Sequence, residues 1–237
     1  MKKFLVVAAV VVVLVWIVVA QGRYSWHQKL TITVETPAGE VSASSVSAVS
    51  WRKQWIRWDG MGWSYDLTGE AVVVEVTPGR YLFALLQGAG TTEYMGSVAA
   101  ASIAGREGRV INGALFSEVQ GKRNRAAGVI TVPEVQYPMM VTFGDIADPT
   151  SVKLVDPADL AASFGLGVRL KSVTLEVTDE PVTVGAVEAV LGWLIKSEFI
   201  IPPEKQPELP KETSAEQRLM PSDFVDWRTL RSKREGN

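Results

Sequence analysis

An unbroken run of 17 apolar residues, Phe4–Ala20, follows Met1-Lys2-Lys3 and limits what this chain can form more than any other feature. A helix of that length rises about 25 Å, close to the ~30 Å hydrocarbon core of a bilayer, whereas a strand that long is rare in a soluble domain. Tyr24 and Trp26 come next, and both residue types are favoured at the membrane interface. We therefore predict that residues 4–20 contact a lipid bilayer and that residues 1–23 form a membrane anchor or an uncleaved signal.

A cleaved secretory signal peptide is the second interpretation of this run. Val18-Val19-Ala20 is an acceptable cleavage site, although the run exceeds the roughly 7–15 apolar residues typical of such signals. Lys2 and Lys3 favour a cytoplasmic amino terminus. Both interpretations place the rest of the chain on the far side of the membrane.

Composition excludes several classes of chemistry. The chain has 237 residues, enough to bury a substantial core, and no cysteine. Disulfides, thiolate catalysis and zinc–thiolate sites are therefore excluded, as is a lipoprotein anchor. A net charge of −2 argues against nucleic-acid binding driven by phosphate attraction.

The first half of the chain after the apolar run has β-strand patterning. Lys29–Thr36 alternates apolar and polar residues, and we expect it to pair with residues 41–50 as a hairpin. A second hairpin is predicted between Glu70–Thr77 and Tyr81–Leu86, joined by Pro78-Gly79-Arg80. We expect a helix over 92–104, strand fragments and exposed loops over 105–128, and short strands over 129–132 and 139–143.

The second half predicts mixed elements. Asp156 and Pro157 are expected to start a short helix ending at Phe164. Val168–Thr178 predicts a strand with a bulge between Leu170 and Val173, where the apolar alternation changes phase. Residues 182–196 predict a helix.

The predicted fold class is α+β and β-rich: an N-terminal transmembrane helix, antiparallel hairpins, then a mixed strand–helix section. Residues 24–200 form the predicted extracytoplasmic domain, with a sub-boundary near 135. Residues 201–237 are proline-rich and are predicted to be largely disordered. Within that tail, Phe224, Val225, Trp227 and Leu230 are spaced to form a short docking helix.

Tryptophan and arginine interleave between the two hairpins. Exposed Trp beside Arg suits lipid headgroups, sugar rings or a protein partner, whereas the same aromatics are also compatible with a strand core. Both alternatives stay open from the sequence. The candidate partner-binding residues are Trp51, Arg52, Trp55, Arg57, Trp58 and Trp63.

Four carboxylates are the weak candidates for a metal site or for acid–base catalysis: Asp145, Asp148, Asp156 and Asp159. Their spacing does not follow a calcium loop, and Asp beside Pro is typical of turns and helix starts. We therefore predict no metal site, no cofactor and no catalytic residue.

Two further motifs carry little chemistry. Gln87-Gly88-Ala89-Gly90 resembles part of a dinucleotide-binding loop, but Glu93 occupies the position of the third glycine and would repel a pyrophosphate. No nucleotide is expected. His27 is the only histidine, and it is close to the apolar run, which does not favour a catalytic cleft.

The segments Trp26–Thr31 (WHQKLT) and Val152–Gly165 (VKLVDPADLAASFG) resemble segments of uncharacterised bacterial single-pass membrane-anchored proteins of unknown function. The resemblance implies a bacterial inner membrane, with the amino terminus cytoplasmic and the domain periplasmic. It implies no activity.

Together these observations favour a single-pass membrane protein with a non-enzymatic, extracytoplasmic binding or scaffolding domain. A protein or an envelope glycan is the expected partner, contacted by the Trp/Arg stretch and the tail. The alternative is a cell-envelope hydrolase or glycan-acting enzyme that uses carboxylates between Asp145 and Asp159. That alternative requires two of those carboxylates to line one cleft about 5–10 Å apart.

Overall fold

The computed structural model describes residues 22–54, 62–122, 128–201 and 219–236. The strands are β1 Arg23–Thr36, β2 Gly39–Lys53, β3 Trp63–Thr68, β4 Val72–Thr77, β5 Arg80–Gly88, β6 Ile130–Thr131, β7 Pro138–Phe143, β8 Val152–Leu154 and β9 Arg169–Thr178. The α-helices are α1 Val98–Ile103, α2 Gly113–Lys122, α3 Leu160–Phe164, α4 Ala186–Val190 and α5 Trp227–Glu235. The structure is thus β-rich α+β, as predicted. The predicted span over residues 4–20 lies outside the described residues.

A five-stranded antiparallel sheet in the order β3-β2-β1-β9-β6 contains the first predicted hairpin. β9 carries the predicted bulge: Thr33 pairs with Ser172 and Val34 with Leu170, which leaves Lys171 unpaired. The extra residue restores the phase of the apolar face, so that Val173 and Leu175 are buried on the same side of the sheet as Ile32 and Leu30. Because β9 pairs with β1, chain on both sides of residue 135 contributes to one sheet.

A four-stranded antiparallel sheet in the order β4-β5-β7-β8 contains the second predicted hairpin. β5 is buried on both faces, as its nearly continuous apolar sequence requires. Leu82, Ala84 and Leu86 enter a core cluster shared with the five-stranded sheet, whereas Phe83 and Leu85 enter a second cluster on the opposite face. The four-stranded sheet is therefore the middle layer of the described structure.

The outer layer over the second cluster comes from the end of the chain. Val187 and Leu191 around α4, with Phe224 and Leu230 around α5, are buried against the four-stranded sheet. The docking helix predicted from the sequence is therefore present as α5. The prediction of a largely disordered tail does not hold for residues 219–236, because Leu219, Phe224, Val225 and Leu230 are buried in this cluster. Residues 202–218 and 237 lie outside the described residues.

Three further sequence predictions need correction. Residues 113–122 form α2 rather than strand fragments, because Asn112 caps the helix through the Leu115 N–H. The cap of α3 is Asp159, which accepts from the Ala162 N–H, and not Asp156. The helix predicted over 182–196 is shorter: α4 ends at Val190, and a separate 3₁₀ turn spans Leu194–Lys196.

No helix in the four described ranges combines the length and the hydropathy needed to cross a membrane.

Candidate functional site

An aromatic cluster centred on Phe116 occupies one end of the five-stranded sheet. The ring of Phe116 stacks on Trp51 at a centroid distance of 4.7 Å and meets Trp63 edge-on at 5.2 Å. Tyr24 lies 5.8 Å and Trp26 6.2 Å from the same ring. The cluster fastens α2 to the sheet.

Two of the predicted contact residues belong to this cluster. Trp51 is 1% exposed, and its indole N–H donates to the Gly96 carbonyl at 3.0 Å. Trp51 is therefore a core residue in this fold and has no surface to offer a partner. Trp63 is half-buried against the same core. The sequence left open whether these side chains are core residues or contact residues. In the structure both pack in the core.

The other predicted contact residues divide into two groups. Arg52 is exposed at the end of β2. Trp55, Arg57 and Trp58 lie outside the described residues. The two ends of the connection that contains them meet, because the Gln54 N–H donates to the Gly62 carbonyl at 3.1 Å.

We call this end of the sheet the basal end: β1 begins there at Arg23, β2 finishes there at Lys53, and β3 starts there at Trp63. The Lys53 N–H donates to the Gly22 carbonyl at 2.7 Å, which ties the end of β2 to the start of the described chain. Arg23, Arg52 and Lys53 are all exposed. We call these three residues the basic rim.

The four candidate carboxylates each serve a local turn. Each one accepts a hydrogen bond from a backbone N–H two or three residues later along the chain; the donors are Ala147 for Asp145, Thr150 for Asp148, Ala158 for Asp156 and Ala162 for Asp159. These are the contacts of Asx turns and helix caps. Among the described residues, no group of three metal-ligating side chains converges. Each of the four carboxylates is therefore engaged in its own local turn or cap.

The two remaining motifs also have structural partners. Gly88 and Thr91 exchange backbone hydrogen bonds of 3.1 and 3.0 Å across Ala89 and Gly90, which both have positive φ. The Gly88–Gly90 segment is thus a tight turn. The Nδ1 atom of His27 lies 2.8 Å from the Glu180 carbonyl oxygen.

The tail, which the sequence predicted as a contact element, contributes an exposed aromatic residue that the Trp/Arg candidates did not include. Trp227, at the start of α5, is 54% exposed, the highest value for any aromatic residue in the described part of the chain. Asp226 fixes its position: its carboxylate caps α5 through the Arg228 and Thr229 N–H groups and also accepts from the Gly69 N–H at 3.0 Å. The Arg228 guanidinium lies 5.3 Å from the centre of the Trp227 ring and pairs with Asp66 at 2.5 Å.

Trp227 and Ser222 separate two clefts of different character. The first cleft, of about 230 Å³, is lined by Tyr65, Asp66, Glu93 and Asp223 and is acidic. The second cleft, of about 420 Å³, is lined mainly by apolar groups; its walls include Met220, Pro221, Leu230, Arg231 and Arg234. We call them the acidic cleft and the apolar cleft. The docking helix could be predicted from the sequence. The acidic cleft could not, because it also contains residues of β3 and of the loop before α1, which are distant from α5 in sequence.

Proton affinity in the acidic cleft is shifted by burial. Burial raises the pKa of Asp223 to about 6, and the hydrogen bond that its carboxylate accepts from the Met220 N–H offsets only part of that effect. Burial, with the Glu93 carboxylate nearby, also raises the pKa of the Tyr65 phenol. The phenol therefore stays protonated at neutral pH.

A pH-dependent stability follows for Asp223. Because its folded pKa of about 6 exceeds the ordinary value of 3.8, the native state binds the proton more tightly than the unfolded chain. The contribution of this group to stability is greatest below pH 4 and falls as the pH rises to about 6. Two pK units correspond to about 2–3 kcal/mol. We expect Asp223→Asn, which keeps an oxygen for the Met220 N–H, to remove that loss.

Urea unfolding in neutral detergent at pH 4 and pH 7 checks this expectation. The difference between the two free energies of unfolding, wild type minus Asp223→Asn, should be about 2–3 kcal/mol lower at pH 7 than at pH 4. Equal differences at both pH values would show that Asp223 titrates normally.

No protein-family model, no curated protein and no solved structure matches this chain.

Proposed function

We propose that this chain is a single-pass membrane protein of the bacterial inner membrane, whose periplasmic domain binds or scaffolds a protein partner and catalyses no reaction. The apolar run Phe4–Ala20 after Lys2 and Lys3 supports the anchor. The exposed ring of Trp227 between two clefts supports the binding role and is the observation that carries it.

The chemistry of the two clefts favours a protein segment as the occupant. Interfaces draw most of their binding energy from a few aromatic and arginine residues seated in pockets, and Trp227 has a pocket on each side. Carboxylates line one pocket, where Asp66 is paired with Arg228 and Glu93 with Arg109. Apolar groups line most of the other, where Arg231 is paired with Glu235. A polypeptide can present cationic and apolar groups along one stretch and so match both pockets at once.

An envelope glycan is the second occupant that an exposed indole beside carboxylates suits. It needs fewer apolar contacts than Met220, Pro221 and Leu230 provide, so the apolar cleft favours protein. The hydrolase alternative has no comparable support, because the carboxylates between Asp145 and Asp159 are engaged in turns.

Photocrosslinking from position 227 in the full-length chain tests the proposal. A photoreactive amino acid replaces Trp227 in tagged protein expressed in its host membrane. A matched control carries the same amino acid at Leu166, which is 92% exposed in a loop far along the chain. We expect one discrete protein adduct from position 227 and none of that mass from position 166.

Three outcomes would contradict the proposal. Identical adducts from both positions, or none from position 227, would remove the binding role of the clefts, and an adduct that glycan digestion destroys would replace protein by glycan. The intact mass of the chain recovered in the same preparation reports on the anchor. We expect Met1 to be retained in the membrane fraction; a soluble chain beginning at Gln21 would overturn the anchor alone.

A further inference from the structure

We propose that the basic rim, formed by Arg23, Arg52 and Lys53, rests on the anionic phosphate headgroups of the bilayer and holds the basal end against it. This inference depends on the membrane anchor of the proposed function. It is independent of the clefts at Trp227, which involve other residues.

The pairing of β1 with β2 places two arginines directly opposite each other, Arg23 against Arg52. Like charges in directly opposed positions of an antiparallel pair are destabilising. Both side chains are exposed, and within the described ranges neither guanidinium forms an ion pair. Lys53 adds a third positive charge at the next position.

The far end of the same two strands also has a like-charge pair, but there each charge has a partner of opposite sign. Glu35 lies directly opposite Glu40 there, but β9 supplies a cation to each, Arg169 to Glu35 and Lys171 to Glu40. β9 ends at Thr178, opposite His27, and so does not reach the basal end. The acidic pair is neutralised within the fold, and the basic pair is left for an external anion.

The position of the rim along the chain identifies that anion. Arg23 is three residues beyond Ala20, the last residue of the apolar run, so at ~3.5 Å per residue it lies within about 10 Å of the end of that run. The polar headgroup layer is roughly 5–8 Å thick on each side of the hydrocarbon core. A chain anchored through residues 4–20 therefore keeps Arg23, and with it Arg52 across the strand pair, within side-chain reach of the headgroups.

The aromatic residues of the basal end are consistent with that depth. Tyr24 and Trp63, whose rings lie 5.8 Å apart, are only partly buried. Tyr and Trp are enriched at the membrane–water interface, and exposed Lys and Arg side chains are attracted to anionic lipid headgroups that lie within a Debye length. The basal end combines both features.

Thermal unfolding of the full-length chain in neutral detergent tests the proposal. Phosphatidylglycerol or phosphatidylcholine is added at equal mole fraction, and unfolding is followed by near-UV circular dichroism. Because a ligand that binds only the folded state raises its Tm, we expect phosphatidylglycerol to raise the wild-type Tm by about 3–6 °C over phosphatidylcholine. The shift should disappear at about 1 M NaCl, where charge screening reaches about 3 Å.

Charge-removing variants locate the effect. The double variant Arg23→Gln/Arg52→Gln should lose the lipid-dependent shift, and in phosphatidylcholine it should unfold no earlier than the wild type, because the repulsion is gone. Arg23→Lys/Arg52→Lys should retain the shift. Lys153→Gln, an exposed lysine of the four-stranded sheet, is the matched control and should also retain it.

Several results would overturn the proposal. Equal Tm values of the wild type in the two lipids would overturn it. An equal shift in the double variant would assign the effect to basic residues outside the Arg23–Arg52 pair. An equal shift from sodium phosphate alone would indicate a free-anion site. Failure of the anchor is recognised separately, by an intact mass that begins near Gln21. A chain that begins near Gln21 overturns the anchor, and the difference in Tm between the two lipids is then measured on that shorter chain to test the basic rim.

Discussion

Replacing Phe116 with alanine is expected to lower the free energy of unfolding by about 3–5 kcal/mol, the range typical of large-to-small changes at fully buried aromatic positions. Phe116 is 0% exposed and contacts four other aromatic rings, of which Trp51 is stacked 4.7 Å away. Its removal leaves a cavity where α2 meets the basal end of the sheet. The rings around it are large and rigid, so they cannot collapse into the space.

The same substitution should expose the basal end. Loss of the ring removes one of the packing partners of Trp63, which meets Phe116 edge-on. We therefore expect increased hydrogen exchange in α2 as well as a lower urea midpoint. Phe116→Leu, which fills part of the space, should cost about half as much.

Leu166→Ala is the matched control for Phe116→Ala, because Leu166 is 92% exposed and its removal should leave the urea midpoint unchanged. A loss of less than about 1 kcal/mol on Phe116→Ala would mean that the aromatic cluster does not hold α2 to the sheet.

The strand elements could be predicted because their information is local. The two hairpins have turn residues at the right spacing, and the phase change between Leu170 and Val173 located the bulge. Alternation along a strand reports which side faces the core without reference to the partner strand. These features therefore follow from short windows of sequence.

The roles of the tryptophans could not be predicted in the same way. Trp51 is buried because Phe116, 65 positions later along the chain, stacks on it, and because Gly96 offers a carbonyl to its indole N–H. A window around Trp51 contains neither residue. The helix that brings Phe116 was itself missed, since α2 buries only Leu115, Phe116 and Val119 and has a glycine near each end. The Asn112 cap was the local signal that could have located it.

The candidate carboxylates show what local patterns can and cannot decide. Asp beside Pro correctly indicated turns at Asp148 and Asp156. The acidic cleft, in contrast, contains Tyr65, Glu93 and Asp223. These three residues are far apart in sequence and share no sequence pattern. Sites assembled from loops of different layers depend on the tertiary fold, whereas caps depend on neighbours two or three residues away.

Glu70 is the strongest example of a residue whose role depends on distant chain. It is 3% exposed, and its carboxylate accepts hydrogen bonds from the N–H groups of Gly185 at 3.1 Å, Ala186 at 2.8 Å and Val187 at 3.4 Å. Its backbone carbonyl accepts from the Ser45 hydroxyl at 2.6 Å. Glu70 thus joins β2 of the first sheet to the start of α4 in the outer layer.

Burying this carboxylate has a cost, and the hydrogen bonds offset it. A buried acid without donors would be strongly destabilising, but a carboxylate that accepts from three N–H groups at the start of a helix is well solvated by the protein. The N–H groups depend on it in turn, because the first N–H groups of a helix have no partner within the helix. Truncation of the side chain would leave these three donors, of which the Val187 N–H is buried, without the carboxylate.

We therefore expect Glu70→Ala to lower the free energy of unfolding by about 2–4 kcal/mol, with the relief of carboxylate burial too small to cancel the loss of its hydrogen bonds. Glu70→Gln keeps one acceptor oxygen and should lie between Ala and the wild type. Urea unfolding measures the total, and hydrogen exchange at Ala186 and Val187 measures the local part. Glu107→Ala, at an exposed carboxylate, is the control and should change neither. Unchanged exchange at Ala186 in Glu70→Ala would show that α4 is held by its apolar contacts alone, and the link between the layers would then lie in Val187 and Leu191 rather than in this carboxylate.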